Sequence, residues 1–581
     1  MRKLIYILLL CATGTAVYGQ NLSPTIEVSR EFRGKLAEAS KPLMEMSVPD
    51  SVNRFDLDFD YEVFDKPYSS AYVFSPFVLA MRPEDTADRG KTFYLNAGIG
   101  YSLHPVFDLV WEPRMKKTKG KYAMSVYAKH RSFIGKYRSF DHDMDASEIV
   151  RLTSMHPFGE YSKKGYDAYT NVGTNGRVDY SGGVFGYDIG YVGIHRDADL
   201  FNAVDAKFHV NSTPKNERSF VYDIRADYRY LNDIYAFDKS SLDGHELQFD
   251  ISLGGDIRHT HNVLVDFNVD YVNYSHASDI YSAGSYTVVP HYIFIHGPWH
   301  VNAGLKLSFT TSNNRSMVYH AKNQIAYPDV SVSLAAIREA MSIYAAVTGG
   351  NNIYTYSSLL ERDHRFNNTF FRMGRDYSCW IDTEIERVNV SLGIKGRIAN
   401  CFSYNLRGGY ALYGNTLFDG IAAKVGSEGK EELAAMFGYT ASQKAYVSLD
   451  WKLGLEMFEF SGKLDYSHFW SLGSPTDMAG LFVPAALTGE VSLMYNWKKR
   501  VYAGIDCVFA TARKGNVLRN DGVKDAVIPG FADLGVSMEY RIDRKLSVWL
   551  RGGNLLNMDV QYNPLRAESG ISGTVGVRLN F

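Results

Sequence analysis

The last twelve residues, Gly570 to Phe581, set Ile571, Val575, Val577, Leu579 and Phe581 in alternation with Ser572, Thr574, Gly576, Arg578 and Asn580. A period of two belongs to a strand with one apolar and one polar face. Charge and amide on one side, with an aromatic as the final residue, suit a strand that has lipid on one face and a wet lumen on the other. The expectation is a strand that closes a transmembrane β-barrel, with Val577, Leu579 and Phe581 on its lipid side.

The same alternation recurs along the chain. It begins near residue 92, where Phe93, Leu95, Ala97, Ile99, Tyr101 and Leu103 share one face and Tyr94, Asn96, Gly98, Gly100 and Ser102 the other. Paired runs start near 92/105, 121/168, 183/203, 218/245, 262/285, 300/325, 340/385, 401/444, 457/486, 500/531 and 545/570. That is about 22 strands, an even number in the size class of the large plugged transporters.

Short connections fall at Arg114 to Lys119, His296 to Pro298, Ile337 to Glu339, Lys498 to Arg500 and Asp543 to Lys545. Longer ones are expected at about 132–167, 231–244, 273–284, 350–384, 414–443, 469–485 and 511–530. Short turns at one end and long loops at the other are the asymmetry of outer-membrane barrels, with turns periplasmic and loops outside. A strand of about 12 residues tilted by roughly 40° rises about 30 Å, which crosses an apolar band of about 25 Å. Tyr228, Tyr230, Tyr271, Tyr410, Tyr413, Tyr466, Tyr495, Trp497 and Tyr540 suit interfacial girdles, which accounts for many of the 41 tyrosines.

Arg2 and Lys3, the apolar run Leu4 to Leu10 and small residues up to Gly19 have the layout of a cleaved export signal, residues 1–19. Beyond it no apolar run reaches the roughly 20 residues that a spanning helix needs. A formal net charge of −2 argues against nucleic-acid partners, which require clustered Lys and Arg. Cys379 and Cys401 flank a strand about 40 Å long at roughly 3.3 Å per residue, too far for a disulfide. With Cys507 they are expected as three isolated thiols.

Asn554, Leu555, Leu556 and Asn557, then Gln561 and Tyr562, then the terminal Phe581, resemble the C-terminal end of TonB-dependent outer-membrane receptor barrels. The resemblance implies a cell outer membrane location, contact with the lipid bilayer and delivery by the outer-membrane assembly machinery through the C-terminal strand. Such receptors carry a plug domain before the barrel. Here residues 20–91, punctuated by Pro42, Pro49, Pro67, Pro76 and Pro83, are about half the length the resemblance calls for. They are read as a periplasmic or lumen-filling segment, and 92–581 as the barrel. The run Thr25 to Ser29 looks faintly like the family's contact with the inner-membrane energy transducer; as an extended β-branched tail it needs no such role.

On the inward face the alternation places Asp533, Glu539, Arg541, Arg551 and Arg578, a lumen wall with charges of both signs. Asp141, Asp143 and Asp145 are spaced like hard-cation ligands, but the sharp-turn and bidentate positions of a calcium loop hold Ala146 and Leu152. A solvated acidic loop is the plainer expectation. His259, His261, His296 and His300 lack further ligands at zinc spacing. No nucleophile with an adjacent base can be assembled, so neither enzymatic chemistry nor a cofactor is expected.

Two functions follow. One is a channel or receptor-type transport barrel without a full plug, its lumen filled by residues 20–91, by the 350–384 loop folded inward or by a partner. The other is a scaffold whose outer loops dock lipoproteins or assembly factors, with a periplasmic partner on the N-terminal segment. The aromatic loop holding Phe366, Phe370, Phe371, Tyr377 and Trp380 serves either as a partner surface or as the constriction of a closed pore.

Overall fold

The structure is a computed structural model that describes residues 92–581 apart from connecting stretches, the longest being 140–161, 314–324 and 367–381. The strands in chain order are β1 (Phe93–Gly100), β2 (Val106–Trp111), β3 (Tyr122–Ser139), β4 (Ser162–Tyr180), β5 (Gly183–Arg196), β6 (Asp199–Ser212), β7 (Arg218–Tyr235), β8 (Ser240–Ile257) and β9 (His261–His276). They continue as β10 (Asp279–His296), β11 (Trp299–Ser312), β12 (Ala326–Ile337), β13 (Met341–Ile353), β14 (Thr383–Ile398), β15 (Phe402–Val425), β16 (Glu431–Gly454), β17 (Phe458–Ser471) and β18 (Leu487–Trp497). The last are β19 (Val501–Ala510), β20 (Arg513–Arg519), β21 (Gly522–Ile528), β22 (Phe531–Arg541), β23 (Leu546–Gly553), β24 (Val560–Asn563), β25 (Arg566–Glu568) and β26 (Ser572–Asn580).

Two small hairpins, β20–β21 and β24–β25, stand on connections, and the remaining 22 strands form one antiparallel wall. The wall closes where β26 pairs with β1, Leu579 opposite Leu95 and Val577 opposite Ala97. Phe581 completes the seam: its carbonyl accepts from Thr92 and Phe93, and its ring lies 6.3 Å from that of Phe93. Closure matters because an open edge in hydrocarbon would leave a row of backbone groups without partners. This is an outer-membrane type of barrel, and its strand pairs are those the periodicity predicts.

The period of two sorts the side chains. Val204, Val263, Phe267, Leu392 and Leu550 are exposed on the outer belt, where lipid covers them. Their neighbours in sequence, such as Asp205, Asp266 and Arg551, face the lumen. Trp549 turns inward onto the glycine pair Gly98 and Gly576, where an added Cβ would stand 2.6 and 2.3 Å from its ring, and its indole N–H donates to Asn96 at 2.7 Å.

The expected turns at His296 to Pro298, Ile337 to Glu339, Lys498 to Arg500 and Asp543 to Lys545 all lie at one end. At Lys498 and Lys499 both φ angles are positive (51° and 58°), the primed geometry that matches strand twist in a hairpin. Non-glycine residues tolerate it here because the Asn496 side chain accepts from the Lys499 N–H at 2.9 Å and Arg500 N–H reaches the Trp497 carbonyl at 3.0 Å.

At the opposite end several segments expected as irregular loops are strand instead. Residues 231–244 and 273–284 continue β7, β8, β9 and β10 to connections at 236–239 and 277–278, and 414–443 is largely the upper half of β15 and β16, each 24 residues long. Above the bilayer no lipid face enforces alternation, so the pattern lapses while the ladder hydrogen bonds continue. Likewise 132–139 and 162–167 belong to β3 and β4. Tyr413 is a second correction: an odd number of residues from outward Tyr410, it points inward and is buried. Cys401 and Cys507 are free thiols; Cys379 lies outside the described residues.

Candidate functional site in the lumen

The connection from β13 to β14 does not stay outside. After Ile353 the chain turns into the barrel and forms a two-turn helix, α1 (Tyr356–Arg362), capped by Thr355, whose hydroxyl accepts from Ser358 N–H at 3.1 Å. Tyr354, Tyr356, Leu359, Leu360 and Phe366 are buried, the last four at no more than 1 % exposure. They pack on inward residues of the wall: Phe201 and Leu231 on one side, Leu417 and Phe437 on β15 and β16. The Phe366 ring meets Tyr356 at 5.3 Å and the edge of Phe437 at 5.0 Å. Fully burying one such side chain stabilises by about 1.5–3 kcal/mol, so the apolar contacts alone hold this segment inward.

Polar clasps fix its position. Tyr356 donates its hydroxyl to the Asp233 carboxylate, and Arg196 binds both that carboxylate and the Phe366 carbonyl. The backbone N–H of Tyr356 reaches the Tyr274 hydroxyl at 2.9 Å, and that hydroxyl in turn donates to Glu246 at 2.8 Å. Ser357 N–H donates to the same Glu246 oxygen at 3.0 Å. At the far end Arg362 donates to Asp419 at 2.5 Å. Helix α1 is thus tied to β7, β8 and β9 by its start and to β15 by its end, and Phe366 beyond it is tied to β5. Burial, and after it the negative charge of Asp233, pushes the Tyr356 hydroxyl well above its ordinary value, which keeps it a donor. Burial and Glu384 do the same to Tyr354.

A second layer lies above. The Leu481–Val483 stretch is held between β15 and β20: Phe482 N–H donates to the Asp419 carbonyl at 2.8 Å and Val483 N–H to the Lys514 carbonyl at 2.9 Å. Ile421, Phe482, Val517, Ala526 and Ile528 make its core.

Along β22, Asp533, Glu539 and Arg541 alternate with exposed Val536, Met538 and Tyr540. Glu539 is buried and paired with Arg578, with Arg541 3.9 Å away on its other side and its guanidinium 4.3 Å from the Tyr502 ring. Asp533 accepts from Asn554 N–H at 2.9 Å, and Arg551 sits on β23 opposite Ser537. Val577 and Phe581 are exposed, and Leu579 is half-buried. Asp141, Asp143 and Asp145 lie outside the described residues, as do His259, Phe370, Phe371, Tyr377 and Trp380. Phe366 is no partner surface, since it is the buried anchor of the inward segment. The clasp residues Arg196, Asp233, Glu246 and Asp419 escape sequence reading: each is one more polar inward position in an alternating strand, and their partner is far along the chain.

No protein-family model and no curated protein sequence matches this chain. Solved structures do match in fold. The siderophore receptor PirA from Acinetobacter baumannii aligns with a TM-score of 0.55 at 9% identity, over 84% of this chain and 80% of the receptor. The FrpB iron transporter from Neisseria meningitidis aligns at 0.59 and 9%, over 85% and 83%. The copper transporter OprC aligns at 0.58 and 11%, over 85% and 80%. The fold is therefore that of TonB-dependent receptor barrels.

Proposed function

We propose that this chain is an outer-membrane transport barrel of the receptor type, in which the segment holding α1 constricts the lumen. One observation carries the reading: a segment between two adjacent wall strands leaves the rim, buries its aromatic and aliphatic side chains inside the cylinder and is tied by ion pairs to both sides. A 22-stranded cylinder with nothing inside it would breach the permeability barrier of the membrane. A scaffold needs only its outer surface and has no use for such a tie. The neighbouring receptor and transporter structures support the same class of function.

In this reading residues 1–19 direct export, residues 20–91 lie in the periplasm or complete the filling of the lumen, and the terminal strand ending in Phe581 is read by the assembly machinery. The test is single-channel conductance of the folded barrel in a planar bilayer. It compares the full chain, a chain lacking residues 20–91, a chain with 355–366 replaced by a Gly-Ser linker, and the combination of both changes. Stepwise conductance that appears on removing the constricting segment, alone or with 20–91, supports transport. Silence in all four would overturn it and favour the scaffold.

A further inference from the structure

A cavity of about 100 Å³ lies along the inner face of β15 to β19. Tyr446, Phe469, Phe531 and Tyr562 give it flat aromatic sides. Its charged lining is Arg362, Arg407, Lys444 and Arg513 against Asp419 and Asp465. Both carboxylates are already engaged. Asp419 pairs with Arg362 at 2.5 Å and Arg513 at 3.4 Å, while Asp465 lies 3.2 Å from Lys463 and accepts from Ser448 at 2.5 Å. Arg407 stands 5.4 Å over the Tyr446 ring.

Two buried polar atoms in this lining have no hydrogen-bond partner, Arg362 Nη1 and Gln561 Oε1. The amide of Gln561 is held by its other end, since Nε2 donates to the Pro564 carbonyl at 2.7 Å, so Oε1 is the acceptor left over. A buried polar atom without a partner calls for one. Here a cationic donor and a neutral acceptor share one cavity with aromatic faces. Their complement is a molecule with an anionic oxygen for the guanidinium, a hydroxyl for the amide oxygen and a ring to lie against the aromatics.

We propose that this cavity binds a sugar acid, a pyranose ring that carries a carboxylate. A neutral sugar lacks the charge-assisted bond, and a plain aromatic acid leaves Gln561 unserved. The site stands apart from the conductance reading, because binding is measured on the folded barrel in detergent whether or not anything passes through.

The experiment is isothermal titration with galacturonate and with its methyl ester. Folded protein should bind the acid and bind the ester at least about tenfold more weakly, the weight of one charge-assisted hydrogen bond. Gln561→Leu, with unchanged heat-modifiable mobility on gels, should weaken the acid about tenfold. Arg407→Gln should weaken the acid and leave the ester unmoved. No binding of galacturonate to folded wild type, equal binding of acid and ester, or a Gln561→Leu variant with unaltered affinity would each overturn the proposal.

Discussion

Tyr356, on the segment between β13 and β14, donates its hydroxyl to Asp233 on β7, the same carboxylate that Arg196 of β5 holds. The side chains of Arg196 and Asp233 are 3% and 0% exposed, so water replaces neither partner. Such a pair is weak evidence for stability as a whole, but breaking it from one side is costly because a buried charge is stranded.

Asp233→Ala should therefore loosen the constriction by about 3–5 kcal/mol, and Tyr356→Phe, which removes one hydrogen bond to a charged group, by about 1.5–3 kcal/mol. The effect is local, since the wall ladder does not depend on it. Single-channel recordings should show frequent brief openings in both variants, more in the first, with little change in the temperature at which the barrel loses its folded gel mobility. Closure as complete as in wild type would count against the clasp.

Glu539, which is buried, pairs with Arg578, whose side chain is 22% exposed, on β22 and β26 with β23 between them. Glu539→Leu should destabilise the folded barrel by about 3–5 kcal/mol, whereas Glu539→Leu with Arg578→Leu should cost less than the single change. Urea titration of the folded fraction, followed by heat-modifiable mobility, reads the difference. A double variant whose loss equals the sum of the two single losses would show that the pair is not coupled.

Removal of Phe581 takes away the carbonyl that Thr92 and Phe93 both use and the ring beside Phe93. The closing seam then frays at its periplasmic end. The folded fraction recovered from membranes should fall severalfold, while refolding in detergent micelles should suffer less, if the residue serves delivery as well as closure. Equal losses in both settings would assign it to closure alone.

Asp543, in the turn between β22 and β23, accepts from the backbone N–H of Lys545 and Leu546, each at 2.7 Å. The bond from Lys545, then that from Leu546, holds its carboxyl below the usual range. A group depressed on folding adds stability that is complete above its unfolded value, about 4, and is lost as pH falls through the folded value. Acid should thus open this turn, seen as faster hydrogen exchange at Lys545 and Leu546 below that range. Asp543→Asn should flatten the pH dependence; an unchanged profile would exclude the carboxylate as its cause.

The barrel was legible in the amino-acid sequence because lipid imposes one condition on every second residue. Val575 and Val577 against Arg578, or Ile505 and Cys507 against Asp506, state that condition within a few residues, and repetition over 22 strands makes the count and the closing pair readable. Where lipid ends the signal ends, so the upper halves of β15 and β16 read as loops, and Tyr413 was placed by its residue type when only its parity with Tyr410 decided its side. The inward course of α1 was open to several readings because it depends on partners more than a hundred residues away: Tyr356 finds Asp233, Ser357 finds Glu246, and Phe366 finds Arg196. Local pattern determined which residues face lipid; only closure of the cylinder decided which polar residues face one another across the lumen, since a hydrogen bond or ion pair is set by distance in space and leaves no period in the chain.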